Sequence, residues 1–568
     1  MKRPIIIAAC IVLMAVLAWT FAQVSARPRS ELASLVPPGS LLYLEAKDFS
    51  ALLKDWNGSS EKKLWLDSDS YQVFSRSRLF LRLNGAQGEF AAAAGVPPDM
   101  DLLNQVAGSE SAIAFYDIGG LEFLYITRLP SARIAASSLW SQRGKYQTRQ
   151  AAGLEYYVHT DTASHRLAAF ASSGDYLFVA TREDAIAGAL TLFSGKSAPS
   201  LKQEAWFADS TRAAGNQPGE LRLAMNFERL LQSPHFRSYW VQRNTGDLKQ
   251  YSAGLSDLNR TPTEFRESRV FLRGTAVEPA TWDEAAVAQV LRLAPPTAGL
   301  VRAWASPDQG QVTDLIWRRI LAPQIQSEAS SKTAPPAAAL GDGAVGDESD
   351  LETRIDEPPI EATAGGLPER LQRVLATKVD AALQVSGTRI LTDGVFVGTE
   401  TATALLAASD WDAAAVRDAL LQAAAGLWSV DASSVHWNQR QSAGIAYQEL
   451  DGIAPLAIAV NGRLLIVADR RELLESILAG IARPAAPEGG RYVAFYNHAR
   501  ELPNFLKLTG LIDNTLAREG PADAREPAFF SENVGGLGRT LGRVESESLR
   551  VHDTGSAVSQ TLVYKLKR

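Results

Sequence analysis

The chain has 568 residues, 57 Lys plus Arg against 63 Asp plus Glu, a formal net charge of −6 and a single cysteine. With 46% hydrophobic and 21% charged residues, it cannot be wholly disordered, collagenous or coiled coil, and the mildly acidic balance argues against a nucleic-acid binder. One cysteine excludes an internal disulfide and a Cys-rich zinc site, while the length suggests about two to four domains.

The amino terminus opens with Lys2 and Arg3, followed by 18 uncharged, mostly apolar residues from Ile5 to Ala22. A charge in the middle of such a run would oppose its burial in hydrocarbon. Val24-Ser25-Ala26 places small side chains where a signal peptidase needs them, whereas the length of the run approaches that of a membrane span. Residues 1–26 are therefore expected to be a signal peptide or transmembrane anchor. The body would lie in the periplasm, held at the inner membrane or released by cleavage after Ala26. Ile7-Ala8-Ala9-Cys10 has a lipoprotein-like composition, but most of the apolar run follows Cys10, so the cysteine reads as part of an apolar helix.

The remainder repeats itself. Arg149-Gln150-Ala151-Ala152-Gly153-Leu154-Glu155-Tyr156 recurs as Arg440-Gln441-Ser442-Ala443-Gly444-Ile445-Ala446-Tyr447, an offset of 291. Gly174–Arg182 matches Gly462–Arg470 at 288, Leu35-Val36-Pro37-Pro38 matches Leu293-Ala294-Pro295-Pro296 at 258, and Gly219 matches Gly490 at 271. These matches divide the chain into two α+β copies, residues 30–285 and 290–568. The jump in offset is explained by an insert, 324–366, rich in Ala, Pro and Gly. It holds nine acids against Lys332 and Arg354, and this composition predicts disorder.

In the first copy, 121–126 reads as a strand and 131–140 as a short helix. Strands are predicted near 145–150, 153–159, 167–172 and 176–181. The second copy repeats this order with a strand at 403–409, a helix at 411–426 and strands near 434–441, 444–449, 455–460 and 463–468. A helix follows in each: Thr181 with Asp184, and Asp469 with Glu472, are expected to cap it. Ile186, Leu190 and Phe193, or Leu474, Leu478 and Ile481, would form its buried face. The fold class is α+β: two homologous halves, each an antiparallel sheet with packed helices, preceded by an amino-terminal hydrophobic helix.

The amino-terminal apolar segment, the strand led by Pro37-Pro38 and paired strand-helix units such as Gly174–Phe193 resemble those of bacterial exported proteins carrying a large domain of unknown function. The resemblance implies location and fold, and carries over no catalytic residue.

Chemistry-bearing motifs are sparse. The six histidines, His159, His165, His235, His436, His498 and His552, form no H-E-x-x-H or H-x-H pattern. Gly195-Lys196-Ser197 lacks the earlier glycine of a phosphate loop and follows a helix, so it reads as a helix stop. Gly535–Gly542 reads as a turn or bulge before a strand at 546–551. Ser59-Ser60-Glu61-Lys62-Lys63 contains S-x-x-K matches without the companion motifs of acyl-enzymes, and reads as an exposed loop. Asp347-Glu348 and Asp356-Glu357 fall in the insert. Aromatics gather at Tyr156-Tyr157, at His235–Trp240, and at Trp428 with Trp437. The 235–240 group has an interface-like composition but better suits a helix end docking its aromatics on the sheet.

No catalytic, cofactor-binding or metal-binding residue is assigned, and no cofactor is expected. The leading expectation is a non-catalytic extracytoplasmic envelope protein that binds or scaffolds an envelope protein partner, with the membrane engaged through the amino-terminal helix. A carrier for a lipid or other apolar ligand is one alternative. A periplasmic hydrolase whose residues converge only in space is another.

Overall fold

The computed structural model describes residues 31–68, 71, 74–215, 217–239, 248–275, 282–321, 368–390, 397–427, 436–451, 456–484, 486, 488–516 and 541–567. The apolar segment 1–26, the insert 324–366, its paired acids, Trp428, Trp240 and Gly535–Thr540 lie outside them.

Runs of consecutive strands are separated by helices along the described chain. The first ten strands are β1 (Leu42–Ala46), β2 (Glu110–Asp117), β3 (Glu122–Arg128), β4 (Gln147–Ala151), β5 (Leu154–Thr160), β6 (Leu167–Ser173), β7 (Tyr176–Ala180), β8 (Leu221–Asn226), β9 (Tyr251–Thr261) and β10 (Glu264–Arg273). Every pairing is antiparallel, and the spatial order is β4-β5-β6-β7-β3-β2-β1-β8-β9-β10.

The next ten are β11 (Leu300–Ala305), β12 (Val379–Ile390), β13 (Val397–Ala407), β14 (His436–Ser442), β15 (Ile445–Asp451), β16 (Leu456–Asn461), β17 (Leu464–Ala468), β18 (Tyr492–Tyr496), β19 (Val544–Asp553) and β20 (Ala557–Leu566). Their order, β14-β15-β16-β17-β13-β12-β11-β18-β19-β20, repeats that of the first ten. β10 then pairs with β20, joining the halves into one continuous 20-stranded sheet. Glu264 faces Lys565 and Leu272 faces Ala557, on either side of the central Ser268–Thr561 pair. The two halves thus meet through the same strand of each. The fold is α+β.

The sequence matches fall on equivalent sheet positions. Ala152 and Gly153 turn β4 into β5 with φ of 52° and 83°, and Ala443 and Gly444 do the same for β14 and β15 with 50° and 78°. Positive φ at both central residues is what a tight, right-twisted hairpin requires. Tyr156 and Tyr447 each donate their hydroxyl to a glutamate on the following helix, Glu183 at 2.7 Å and Glu475 at 2.6 Å.

Both faces of the sheet are buried near β7 and β17, which explains their unbroken apolar sequences. On one face, Tyr43, Leu124 and Phe178 pack beneath Ile186 and Leu190 of the helix Glu183–Phe193. In the second half, Val301, Leu383 and Ile466 pack beneath Leu474 and Leu478 of the helix Arg471–Leu478. On the other face, Phe170 and Val179 meet Phe90 and Leu102, carried by helices α1 (Arg78–Ala94) and α2 (Met100–Val106). The matching layer of the second half contains Ile316 of a π-helical segment (Asp314–Leu321), Leu371 of α3 (Glu369–Leu375) and Leu420 of α4 (Ala413–Leu427). The β1–β2 connection thus carries α1 and α2, and the corresponding β11–β12 connection carries the π-helical segment and α3, with the insert between them.

Two local expectations are corrected. Thr181 and Asp469 do not cap their helices: the N-cap residues are Arg182 and Arg470, without side-chain caps. One residue earlier, at the strand end, Thr181 Oγ1 accepts from Phe123 N at 2.8 Å and the Asp469 carboxylate from Thr401 N at 2.9 Å. Ser59 belongs to no loop motif either; its hydroxyl accepts from Lys62 N at 3.1 Å and caps the helix Ser60–Leu66.

Candidate functional site

The histidines singled out in the sequence stay apart. His159 Nδ1 lies 2.8 Å from Ala93 O, His498 Nε2 lies 3.4 Å from Glu547, and His552 Nδ1 lies 3.0 Å from Glu284. Among the described residues no group of three or more His, Cys, Asp or Glu side chains is placed to hold a metal ion. In the 235–240 cluster, Phe236 is buried.

A cleft of about 1370 Å³ opens instead over β11, β12, β18, β19 and β20, walled by the π-helical segment. β11 explains its floor. In Leu300-Val301-Arg302-Ala303-Trp304-Ala305, Val301, Ala303 and Ala305 point into the core, so the period-two pleat turns Arg302 and Trp304 to the other face. Gln384 of β12 lies opposite Arg302, and Tyr492 of β18 lies opposite Trp304. The Arg302 guanidinium donates to Gln384 Oε1. Arg302 Nε and Trp304 Nε1 are buried without an acceptor. Nε atoms of other arginines are buried in the same way among the described residues, so what sets this floor apart is the Arg302 guanidinium and the Trp304 and Tyr492 rings that line the cleft.

The rim is charged. Arg318 and Arg319 both reach Asp314, at 3.7 and 3.3 Å, and Asp308 caps the helix Gln309–Thr313 that precedes it. Arg491 stacks over the Trp282 ring at 4.2 Å and pairs with Asp553, which also binds Arg273 at 2.6 Å. Burial pushes the Asp553 carboxyl up, but the Gly555 amide and the two guanidinium groups outweigh it and hold the carboxyl below its usual range. The salt bridge to Arg273 ties the end of β10 to β19 across the seam. The lining thus holds four arginines, Arg302, Arg318, Arg319 and Arg491, against Asp308 and Asp314.

The sheet register puts Leu44, Ile113 and Leu221 in the first half where Arg302, Gln384 and Tyr492 stand in the second. The same patch is aliphatic in one half and polar and aromatic in the other. Sequence reasoning missed the cleft because its residues come from strands far apart in the chain. The available signal was β11 itself, a short strand whose Arg and Trp alternate with core residues.

A second, smaller pocket of about 280 Å³ lies in the first half, between α1, α2 and strands β2, β3 and β7. Its lining is mostly apolar, with Gln87, Tyr125 and Arg166 as its polar members. Elsewhere, burial raises the Asp469 carboxyl to about 7; the Thr401 amide opposes the shift, Glu400 adds to it and Arg389 opposes it.

Among the described residues no helix is long and apolar enough to cross a membrane. No protein-family model matches the chain, and no curated protein matches it. Among solved structures, crystal forms I, IV and III of TP0453 align with 12%, 11% and 12% identity. The alignments cover 44%, 42% and 43% of this chain and 81%, 79% and 80% of TP0453, with a TM-score of 0.22 in each case. At that score the likeness carries no weight for fold or function.

Proposed function

We propose that this protein is a non-catalytic binding component of the bacterial envelope, built from two copies of one α+β unit, that seats an acidic segment of a partner protein in the cleft over β11 and β18. Residues 1–26 would anchor the chain in the inner membrane or deliver it to the periplasm. The cleft carries this reading, through a lining that holds Arg302, Arg318, Arg319 and Arg491 beside Trp304 and Tyr492. Arginine and aromatic side chains are the types that dominate binding energy at protein interfaces, and carboxylates are the matching acceptors for guanidinium groups.

The test is co-purification of the full-length chain from native membranes, comparing wild type with the double variant Arg302→Glu, Arg318→Glu. The reading expects a stoichiometric partner that the double variant loses while keeping its melting temperature. Equal recovery with both chains contradicts the cleft assignment. Turnover of ester, peptide, glycoside or phosphate substrates by the purified protein contradicts the non-catalytic assignment.

A further inference from the structure

The apolar pocket of the first half is independent of the cleft. α1 and α2 supply Leu83, Phe90, Leu102 and Val106 to its walls, and the sheet supplies Ile113 and Phe123. An apolar cavity of about 150 Å³ stays dry and accepts a benzene-sized guest. At about 280 Å³ this one has room for a longer, narrow guest. Leu83 of α1 lines the pocket while remaining 44% exposed, so the pocket opens to solvent there. An apolar pocket that opens to solvent is a place where an apolar ligand would complete the packing.

Arg166 is the charged residue of the lining. Its Nη1 donates to Gly120 O and its Nη2 to Leu121 O at 2.7 Å, while Nε is buried without an acceptor. The carboxylates around it are engaged elsewhere. Glu89 pairs with Arg82 at 2.8 Å, Glu122 pairs with Arg182 at 3.2 Å, and Asp117 accepts from the Gly119 and Gly120 amides. Arg166 makes no ion pair among the described residues. Glu89, Glu122 and Asp117 stand near enough to act on it electrostatically without bonding to it, and an apolar pocket with one guanidinium in its lining matches an amphiphile with one alkyl chain and one anionic head.

We propose that this pocket binds the acyl chain of a single-chain fatty acid, with its carboxylate at Arg166. The experiment uses the full-length chain in phosphatidylcholine nanodiscs and a diazirine-bearing lauric acid, with adducts located by peptide mass spectrometry. The expected adducts lie within residues 83–106 and 113–125. Unlabelled laurate should compete about tenfold better than 1-dodecanol, as a charge-assisted hydrogen bond would require.

Ala86, a buried residue of the lining, is the position at which to fill the pocket. Ala86→Phe with an unchanged melting temperature should abolish these adducts. If that variant does not fold, Arg166→Gln provides the second arm: laurate and dodecanol should then compete equally. Adducts confined to residues 1–26 or spread evenly over the surface overturn the proposal. So does labelling that persists in a folded Ala86→Phe protein, or equal competition by the two alkyl compounds in the wild type.

Discussion

At the end of β17 the Asp469 carboxylate accepts from the Thr401 amide, and at the end of β7 the Thr181 hydroxyl accepts from the Phe123 amide. Both hold the strand end against its neighbour, but only one brings an ionisable group into the interior. Burial keeps Asp469 protonated up to about 7, against an ordinary 3.8. Between those values the native chain holds a proton that the unfolded chain has released. This contribution to stability is therefore greatest at the acid end and is lost as pH rises through that window. Asp469→Thr, which installs the solution used in the other half, should preserve the latch and remove this dependence. Urea unfolding at several pH values between about 4 and 8, read as the difference from wild type, checks it; an unchanged pH profile would refute the assignment.

A second buried charge behaves differently. Arg222 on β8 grips Asp257 on β9 through two hydrogen bonds, of 2.8 and 2.7 Å, and Gly219 N donates to the same carboxylate. Arg222 and Asp257 are only 4% and 5% exposed. Arg222→Leu leaves the carboxylate buried without its cation and should cost about 3–5 kcal/mol, measured by chemical denaturation. Loss of less than about 1 kcal/mol would mean that water reaches Asp257, as for an exposed ion pair.

Among the elements, the hairpin turns are where the two halves agree most closely and where the chain tolerates strain. Ala152 and Ala443 occupy left-handed positions that Asn or Gly adopts more readily. Ala152→Asn and Ala443→Asn should each stabilise by about 0.5–1 kcal/mol, read from the denaturation midpoint; destabilisation would show that the alanine methyl makes packing the turn needs.

These turns also explain what was legible in the sequence. Local chemistry set them, so the hairpins β4–β5 and β6–β7, their counterparts and the helix faces of Ile186 and Leu474 could be read directly. The strand latches could not. Thr181 and Asp469 stand beside a helix start, and cap-like spacing hides their bonds to β3 and β13, which depend on sheet register. Ser59 failed in the opposite sense: Asn57-Gly58-Ser59-Ser60 reads as an exposed loop, and a plain N-cap was overlooked. Arg302, Gln384 and Tyr492 lie on three strands from distant parts of the sequence and meet only because β11 pairs with both β12 and β18.

Across the whole molecule, the β10–β20 pairing makes one sheet of two halves, and the Arg273–Asp553 bridge reinforces that seam. Thermal unfolding should therefore show a single cooperative transition. Thr561→Pro, at the centre of the seam, removes a ladder donor from an interior strand and should lower or split it; an unaltered single transition would mean the seam contributes little to cooperativity. The halves share pairing order but not surface chemistry. Leu44, Ile113 and Leu221 give the first half an aliphatic patch, whereas Arg302, Gln384 and Tyr492 make the second half's patch the polar floor of a cleft. Under the proposed function, that divergence on a common frame would make the second half's patch the working surface.

The most direct measurement of that claim is site-specific photocrosslinking in intact cells, with a photoreactive amino acid replacing Gln309 at the cleft rim. The account predicts a single protein adduct whose crosslinked peptide is acidic and which disappears when Arg302→Glu is added. Absence of any protein adduct, or an adduct indifferent to Arg302→Glu, would contradict it.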